Sequence, residues 1–355
     1  MPSFTLPMPR HLDANSFQQM LLHNIDTFIF DADGVLWLGE QSIPGSSDFV
    51  NFLAKNGKRI IVLTNNATKS RAVYARKLGQ LGFGRCVNEH NIVNPAAVVA
   101  DLLHRAGLGQ GSDKKVYLIG GQGVKDEMDQ LGIDHFGDGF DPVDEQPASK
   151  GSAFLYDLEL EEKLERVGAV VVGYEKYFNY LKLMKASNYL RNEDCMFVAT
   201  NEDETCPGPI PNMVIPDAGP LVAAVKTASG RDPQVVGKPN TPAFDYICRR
   251  WTIDPRRTLM VGDRLNTDVK FGNDHGLRSM LVLSGCHGVD DIMESQMQGR
   301  DDLMPDFYAN SLGALMLKSH GCATKKGGCG RQEHLHASGH RFCVRQRARE
   351  EHSGK

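Results

Sequence analysis

An α/β fold is predicted, a doubly wound and mostly parallel sheet interrupted by a second, inserted α/β unit. Three observations lead to it. Short apolar runs alternate with segments of helical periodicity, the pattern of parallel strands joined by crossover helices. Four of these runs end on polar residues, and in open α/β sheets ligands bind outside the carboxyl ends of strands. With 355 residues, 41% hydrophobic and 24% charged, the chain suffices for two ordinary cores.

The elements follow in order. Thr27–Phe30 (TFIF) reads as a buried strand that runs into Asp31-Ala32-Asp33-Gly34. Ser46–Lys55 has helical spacing and stops at Asn56-Gly57, a suitable helix end. Arg59–Leu63 (RIIVL) is the second strand and leads into Thr64-Asn65-Asn66. A helix capped by Thr68 then runs through Ala72 and Leu78 to Leu81, and Asn94-Pro95 opens another through Val98 and Leu102.

Val116–Ile119 and Gly168–Val172 read as strands of the inserted unit, with helical spacing over Phe178–Leu190. Between Thr205 and Pro220 stand Pro207, Pro209, Pro211, Pro216 and Pro220, which argue for a surface loop and a link back to the first unit. Gln234–Val236, Thr258–Val261 and Ser279–Leu283 are further short strands. Thr241-Pro242 starts a helix, because proline is preorganised at the first helical position. The units are therefore expected at 1–109 and 217–316, with the insertion at 110–216. From Leu317 to the end, nine Lys or Arg face three Glu without apolar periodicity, so 317–355 reads as a basic, disordered tail.

Composition narrows the function classes. A formal charge of −4 supplies no net basic field for nucleic acid or an anionic membrane. No apolar run is long enough to span a bilayer, and Met1–Asn24 lacks the apolar stretch of a secretory signal. Cys86, Cys195, Cys206, Cys248 and Cys286 are scattered singly, as expected of reduced thiols in a cytoplasmic protein.

The four polar strand ends suit one reaction. Asp31 is the right type to attack phosphorus, since a carboxylate forms an acyl-phosphate and splits the reaction into two steps. Asp33 lies two residues on, and Gly34 lets the chain turn so that both carboxylates face one cleft. One attacks while the other protonates the leaving oxygen and later takes a proton from water. Thr64 offers a hydroxyl and backbone donors to phosphoryl oxygens, and Lys238 a point charge against developing negative charge. Asp263 and Asp31 provide hard oxygen ligands for Mg²⁺.

Each piece alone has an ordinary reading as a turn, a cap or a solvated lysine. A calcium loop fails because Val35-Leu36-Trp37-Leu38 follow where further ligands are needed. Gly120-Gly121-Gln122-Gly123 reads as a tight turn, and the lone His275 and His287 read as structural. The tail carries zinc-type ligands at Cys322, Cys329, His334, His336, His340 and Cys343, but their spacing matches no finger pattern.

In this order, Asp31-Ala32-Asp33-Gly34-Val35, Leu63-Thr64-Asn65-Asn66, Gly237-Lys238-Pro239 and Gly262-Asp263-Arg264-Leu265-Asn266-Thr267-Asp268 resemble the four motifs of the haloacid dehalogenase (HAD) superfamily. The chain is most similar to the eukaryotic branch of phosphoglycolate, 4-nitrophenylphosphate and pyridoxal phosphatases. The resemblance implies a Rossmann-like core with the insertion as an α/β cap. It implies Asp31 as nucleophile, Asp33 as acid and base, and Thr64, Asn65 and Lys238 as phosphate binders. Mg²⁺ would be held by Asp31, the Asp33 backbone carbonyl and Asp263, with Asp268 supporting that shell. It further implies small phosphorylated metabolites as substrates and a homodimer formed through the caps. Among substrates 2-phosphoglycolate comes first, followed by pyridoxal 5′-phosphate and glycerol 3-phosphate, with phosphoproteins as another class. A catalytically retired phospho-ligand binder is the alternative outside enzymes, and the presence of Asp31, Asp33, Lys238 and Asp263 speaks against it. Two departures bear on substrate choice: Tyr177 stands where relatives carry histidine, and Pro216-Asp217-Ala218-Gly219-Pro220 replaces a Gly-Thr-Gly-like return to the core.

Overall fold

The computed structural model describes residues 8–84, 87–140, 160–206 and 213–317. The cysteine and histidine cluster of the tail and Pro207, Pro209 and Pro211 lie outside the described residues.

Seven parallel strands form the first sheet, in the order Arg10–His11, Phe307–Ala309, Arg278–Val282, Thr258–Gly262, Thr27–Phe30, Arg59–Leu63, Ile92–Val93. Thr27–Phe30 is central, and all four of its residues are buried. A strand covered on both faces needs a continuous apolar run, which is why TFIF shows no alternation. Successive side chains still point to opposite faces. Phe28 and Phe30 join Phe17 and Phe49 on one side, while Ile29 packs with Ile61 and Met260 on the other. Burying each of these aromatic or aliphatic side chains contributes about 2 kcal/mol.

The strand order reverses beside Thr27–Phe30. The next strands in the chain, Arg59–Leu63 and Ile92–Val93, lie to one side, and the late strands from Thr258 onward lie to the other. Asp31 therefore leaves its strand at the switch point where such sheets open a crevice.

A second sheet holds Gln234–Val235, Met196–Ala199, Val167–Val172, Lys115–Ile119 and His135–Phe136, again all parallel. The two units are clamped by an ion pair. Arg71 donates from its side chain to both oxygens of the buried Glu127 at 2.7–3.1 Å, and from its backbone N–H at 2.8 Å.

Four local expectations are corrected. The helix expected to start at Thr68 begins at Arg71, because the Thr68 hydroxyl and N–H are both captured by Asn66 Oδ1 in a side-chain turn. Pro220 does not end regular structure. It is the third residue of the helix Ala218–Ser229, in a first turn whose N–H groups have no helical acceptor anyway. Gln234–Val235 pairs with Met196–Ala199 rather than joining the first sheet, so the change of sheet comes after it and not at 217. A strand of two residues fits either sheet, and the preceding helix, through Val222 and Val225, holds it beside the second. Lastly, Cys195, Cys206 and Cys248 are free thiols but Cys286 is disulfide-bonded, since spacing along a chain does not show which sulfurs meet in space. Among the described residues, no helix is long and apolar enough to cross a membrane.

Candidate active site

Lys238 draws the strand ends together. Its ammonium donates to Asp31 Oδ1 at 2.5 Å, Asp268 Oδ1 at 2.7 Å and the Leu63 carbonyl at 3.0 Å, which uses all three of its protons. Burial opposes this charge, but Asp268 and Asp31 outweigh it and raise the Lys238 pKa. Lysine is thus fixed as a cation in a nearly dry site.

Asp31, Asp263 and Asp268 are all buried, and carboxylate oxygens from the three lie within 4.8 Å of one another. Burial lifts the Asp31 carboxyl well above the usual range, opposed by Lys238 and reinforced by Asp268 and Asp263. Burial, with Asp268 next, pushes Asp263 up to about 7. With all three carboxyls ionised, they outnumber the positive charges of Lys238 and Arg264. A hard divalent cation among these oxygens fits that imbalance.

The surrounding backbone is shaped for this crowding. Gly34 has φ +84°, and a Cβ there would stand 2.3 Å from Asp263 Oδ2; one on Gly285 would stand 2.1 Å from the same oxygen. Asp263 Oδ2 accepts the Cys286 N–H at 2.8 Å, and Asp268 Oδ2 accepts the N–H groups of Asp263 and Arg264 at 3.2 and 3.1 Å. Both Asp268 oxygens are therefore engaged in holding the cluster.

Thr64 is buried at the end of its strand, where its N–H bonds the Val93 carbonyl at 3.1 Å. Asn65 clamps two strand ends: its Oδ1 accepts the Lys238 N–H at 2.8 Å and its Nδ2 donates to the Lys238 carbonyl at 3.0 Å. Asp33 is half-buried and accepts the Trp37 indole N–H at 2.8 Å; burial raises its pKa and Trp37 opposes that. Tyr177 is not part of this cluster. It is 42% exposed, edge-on to Phe140, with Lys176 Nζ 4.6 Å from its ring centre. His287 and His275 make structural bonds, with Leu265 N–H and the Phe271 carbonyl.

The family description Haloacid dehalogenase-like hydrolase matches residues 28–134, and a second, HAD-hydrolase-like, matches residues 235–315. Glycerol-3-phosphate phosphatase of Gallus gallus is 38% identical over 302 residues, covering 83% of this chain and 92% of that protein. The chain belongs to the haloacid dehalogenase superfamily. It is also 41% identical over 281 residues to a putative NipSnap protein of Caenorhabditis elegans, covering 79% of this chain and about half, 52%, of that protein. A crystal structure of a glycerol phosphate phosphatase from Mycobacterium tuberculosis with magnesium superposes with TM-score 0.64 at 26% identity, covering 83% of this chain and 77% of that one.

Beside the four motifs, this HAD phosphatase has polar groups that the sequence reading passed over. Asp203 Oδ2 accepts from Asn65 Nδ2 at 3.1 Å and from Asn201 Nδ2 at 3.0 Å, which ties the second sheet to the loop that follows Arg59–Leu63. A usable signal existed: Thr200-Asn201-Glu202-Asp203 follows the apolar strand Met196–Ala199, the same pattern as the four motifs. Arg264 lies half-buried within electrostatic reach of Asp263, Asp203, Asp268 and Asp31.

Asp217 caps the helix Ala218–Ser229 through the Ala218 N–H at 2.7 Å. Burial, then the charge of Asp203, pushes its pKa from 3.8 up to about 6. A raised folded value means the native state binds more protons across that window, so stability falls as pH rises through it. Asn keeps the cap without the charge. Asp217→Asn should therefore stabilise the protein above pH 6 by on the order of 1–2 kcal/mol. Thermal melts from pH 4 to 8 check this: the gain should vanish toward pH 4, and an equal effect at both ends would contradict it.

Proposed function

We propose that this HAD phosphatase hydrolyses small phosphate monoesters through a phospho-aspartate at Asp31, with Mg²⁺ as cofactor. The observation that carries the reading is Lys238 pairing Asp31 and Asp268, with Asp263 alongside, in one buried cluster at the sheet's switch point. Asp31 attacks phosphorus as the ester P–O bond breaks, and Asp33 gives its proton to the departing oxygen. Water then attacks the phospho-aspartate, Asp33 takes its proton back, and inorganic phosphate leaves. Thr64 and Asn65 orient phosphoryl oxygens, and Lys238 stabilises charge that builds on them.

Asp31, the Asp33 backbone carbonyl and Asp263 would hold the metal, with Asp268 fixing their arrangement. When bound, Mg²⁺ supplies charge stabilisation at the phosphoryl oxygens, a contribution of several kcal/mol. Three aspartates and a carbonyl form the hard oxygen set this ion prefers.

The leading substrates are 2-phosphoglycolate and glycerol 3-phosphate. The branch resemblance and the names of some relatives support the first, and the names of others support the second. The inserted unit serves as a cap that covers the crevice, disfavours bulky phosphoproteins and pairs two chains into a homodimer, with Tyr177 available from that unit for substrate choice. A panel of phosphate esters scored by kcat/KM, with and without metal, tests the reading. One ester of two or three carbons should dominate, and excess chelator should cut turnover about 10³-fold, restored by added Mg²⁺. Full activity in chelator would remove the metal from the proposal. No turnover of any ester would favour a retired binder.

A further inference from the structure

A carboxyl group has two oxygens, and only one of those on Asp33 can carry the proton that the reaction needs. Trp37 decides which. Its indole Nε1 donates to Asp33 Oδ1 at 2.8 Å, and an indole N–H is a donor without acceptor capacity. A carbonyl oxygen accepts better than a protonated one, so this bond favours Oδ1 as the unprotonated oxygen and the proton of neutral Asp33 on Oδ2.

Trp37 has little freedom to give way. It is 1% exposed, its ring stacks on Tyr74 with centres 6.1 Å apart, and Lys77 Nζ lies 4.7 Å over it. Its backbone brackets Asp33 on both sides: the Trp37 N–H donates to the Ala32 carbonyl at 3.2 Å, and its carbonyl accepts the Gly34 N–H at 2.8 Å. Trp37–Leu38 also pairs with Gln41–Ser42 in a short antiparallel ribbon. Side chain and backbone of one residue thus hold the turn and the carboxyl it presents.

We propose that Trp37 is a positioning residue for the acid–base step, fixing Asp33 so that Oδ2 alone exchanges the proton. This rests on the phosphatase reading above. As the bond from Asp31 to phosphorus forms and the ester bond breaks, the proton passes from Asp33 Oδ2 to the leaving oxygen. In the second step it returns from water to Oδ2 while the bond from phosphorus to Asp31 breaks. Without the indole N–H, the carboxyl can rotate or carry its proton on the oxygen turned away.

The test compares Trp37→Phe with wild type on p-nitrophenyl phosphate, whose phenolate leaves with little help, and glycerol 3-phosphate, whose alkoxide needs a proton. The alkyl ester should lose about ten-fold more kcat/KM than the aryl ester. That ratio does not depend on how much of the variant is folded. Asp33→Asn should show the same bias, and Trp37→Phe added to it should deepen the bias no further. Replacing Trp37 by benzothienylalanine, which keeps the ring shape but puts sulfur in place of N–H, should reproduce the Trp37→Phe result and carries the test if that variant does not fold. Equal losses on both esters overturn the inference and leave the phosphatase reading standing. Failure of the wild type to turn over either ester overturns both.

Discussion

Asp31→Asn is expected to lower turnover of every phosphate ester by about 10⁴-fold or more while the fold persists. An amide does not form the acyl-phosphate, so the first step is lost and not merely slowed. The fold should survive because Asn retains an oxygen for the Lys238 ammonium, which also keeps Asp268 and the Leu63 carbonyl. Stability in metal-free buffer at neutral pH should even rise. Burial raises the folded Asp31 pKa, so its charged form is disfavoured in the native state, and a neutral isostere escapes that cost. Two measurements check the assignment. Acid-quenched wild type given labelled substrate should carry hydroxylamine-labile phosphate, absent from the variant. Residual turnover within ten-fold of wild type would rule out Asp31 as nucleophile.

Lys238→Met should act on both rate and stability. Removing a preorganised donor aimed at developing charge costs about 10²–10³ in kcat/KM. Removing the cation between two buried carboxylates leaves them unbalanced, a loss of about 3–5 kcal/mol. The loss should depend on pH in a definite direction. Without Lys238, which holds the Asp31 pKa down, the folded Asp31 carboxyl rises further, so the native state binds extra protons and becomes less stable as pH increases. Thermal melts in chelator should show a wider gap from wild type at pH 8 than at pH 5. A variant as stable as wild type at pH 8 would mean that the ion pairs do not hold these strand ends.

The legible parts of the fold share a cause. Thr27–Phe30, Arg59–Leu63 and Thr258–Gly262 are flanked by strands on both sides, and such strands must be apolar almost throughout, so their ends stand out when a polar residue follows. Gln234–Val235 is only two residues long, and nothing local says which sheet receives it. Pro220 was misread because proline is a breaker within a helix but harmless in its first turn. Trp37 is part of the core, and its N–H also reaches a catalytic candidate, a contact that no local pattern announces. Asp203 carried the strand-end signal and was overlooked because it belongs to the second sheet.

By itself, the sequence determined the chemical inventory: candidates for a nucleophile, an acid, a cation and hard metal ligands, each placed after a strand. That information is local, because a strand's end is set by the few residues around it. Only the tertiary structure decided which groups share one electric field, that Asp31 meets Lys238 across 207 residues of chain, and that Asn65 locks two strand ends together. Those contacts follow from strand order and register between remote segments, which no stretch of neighbouring residues encodes.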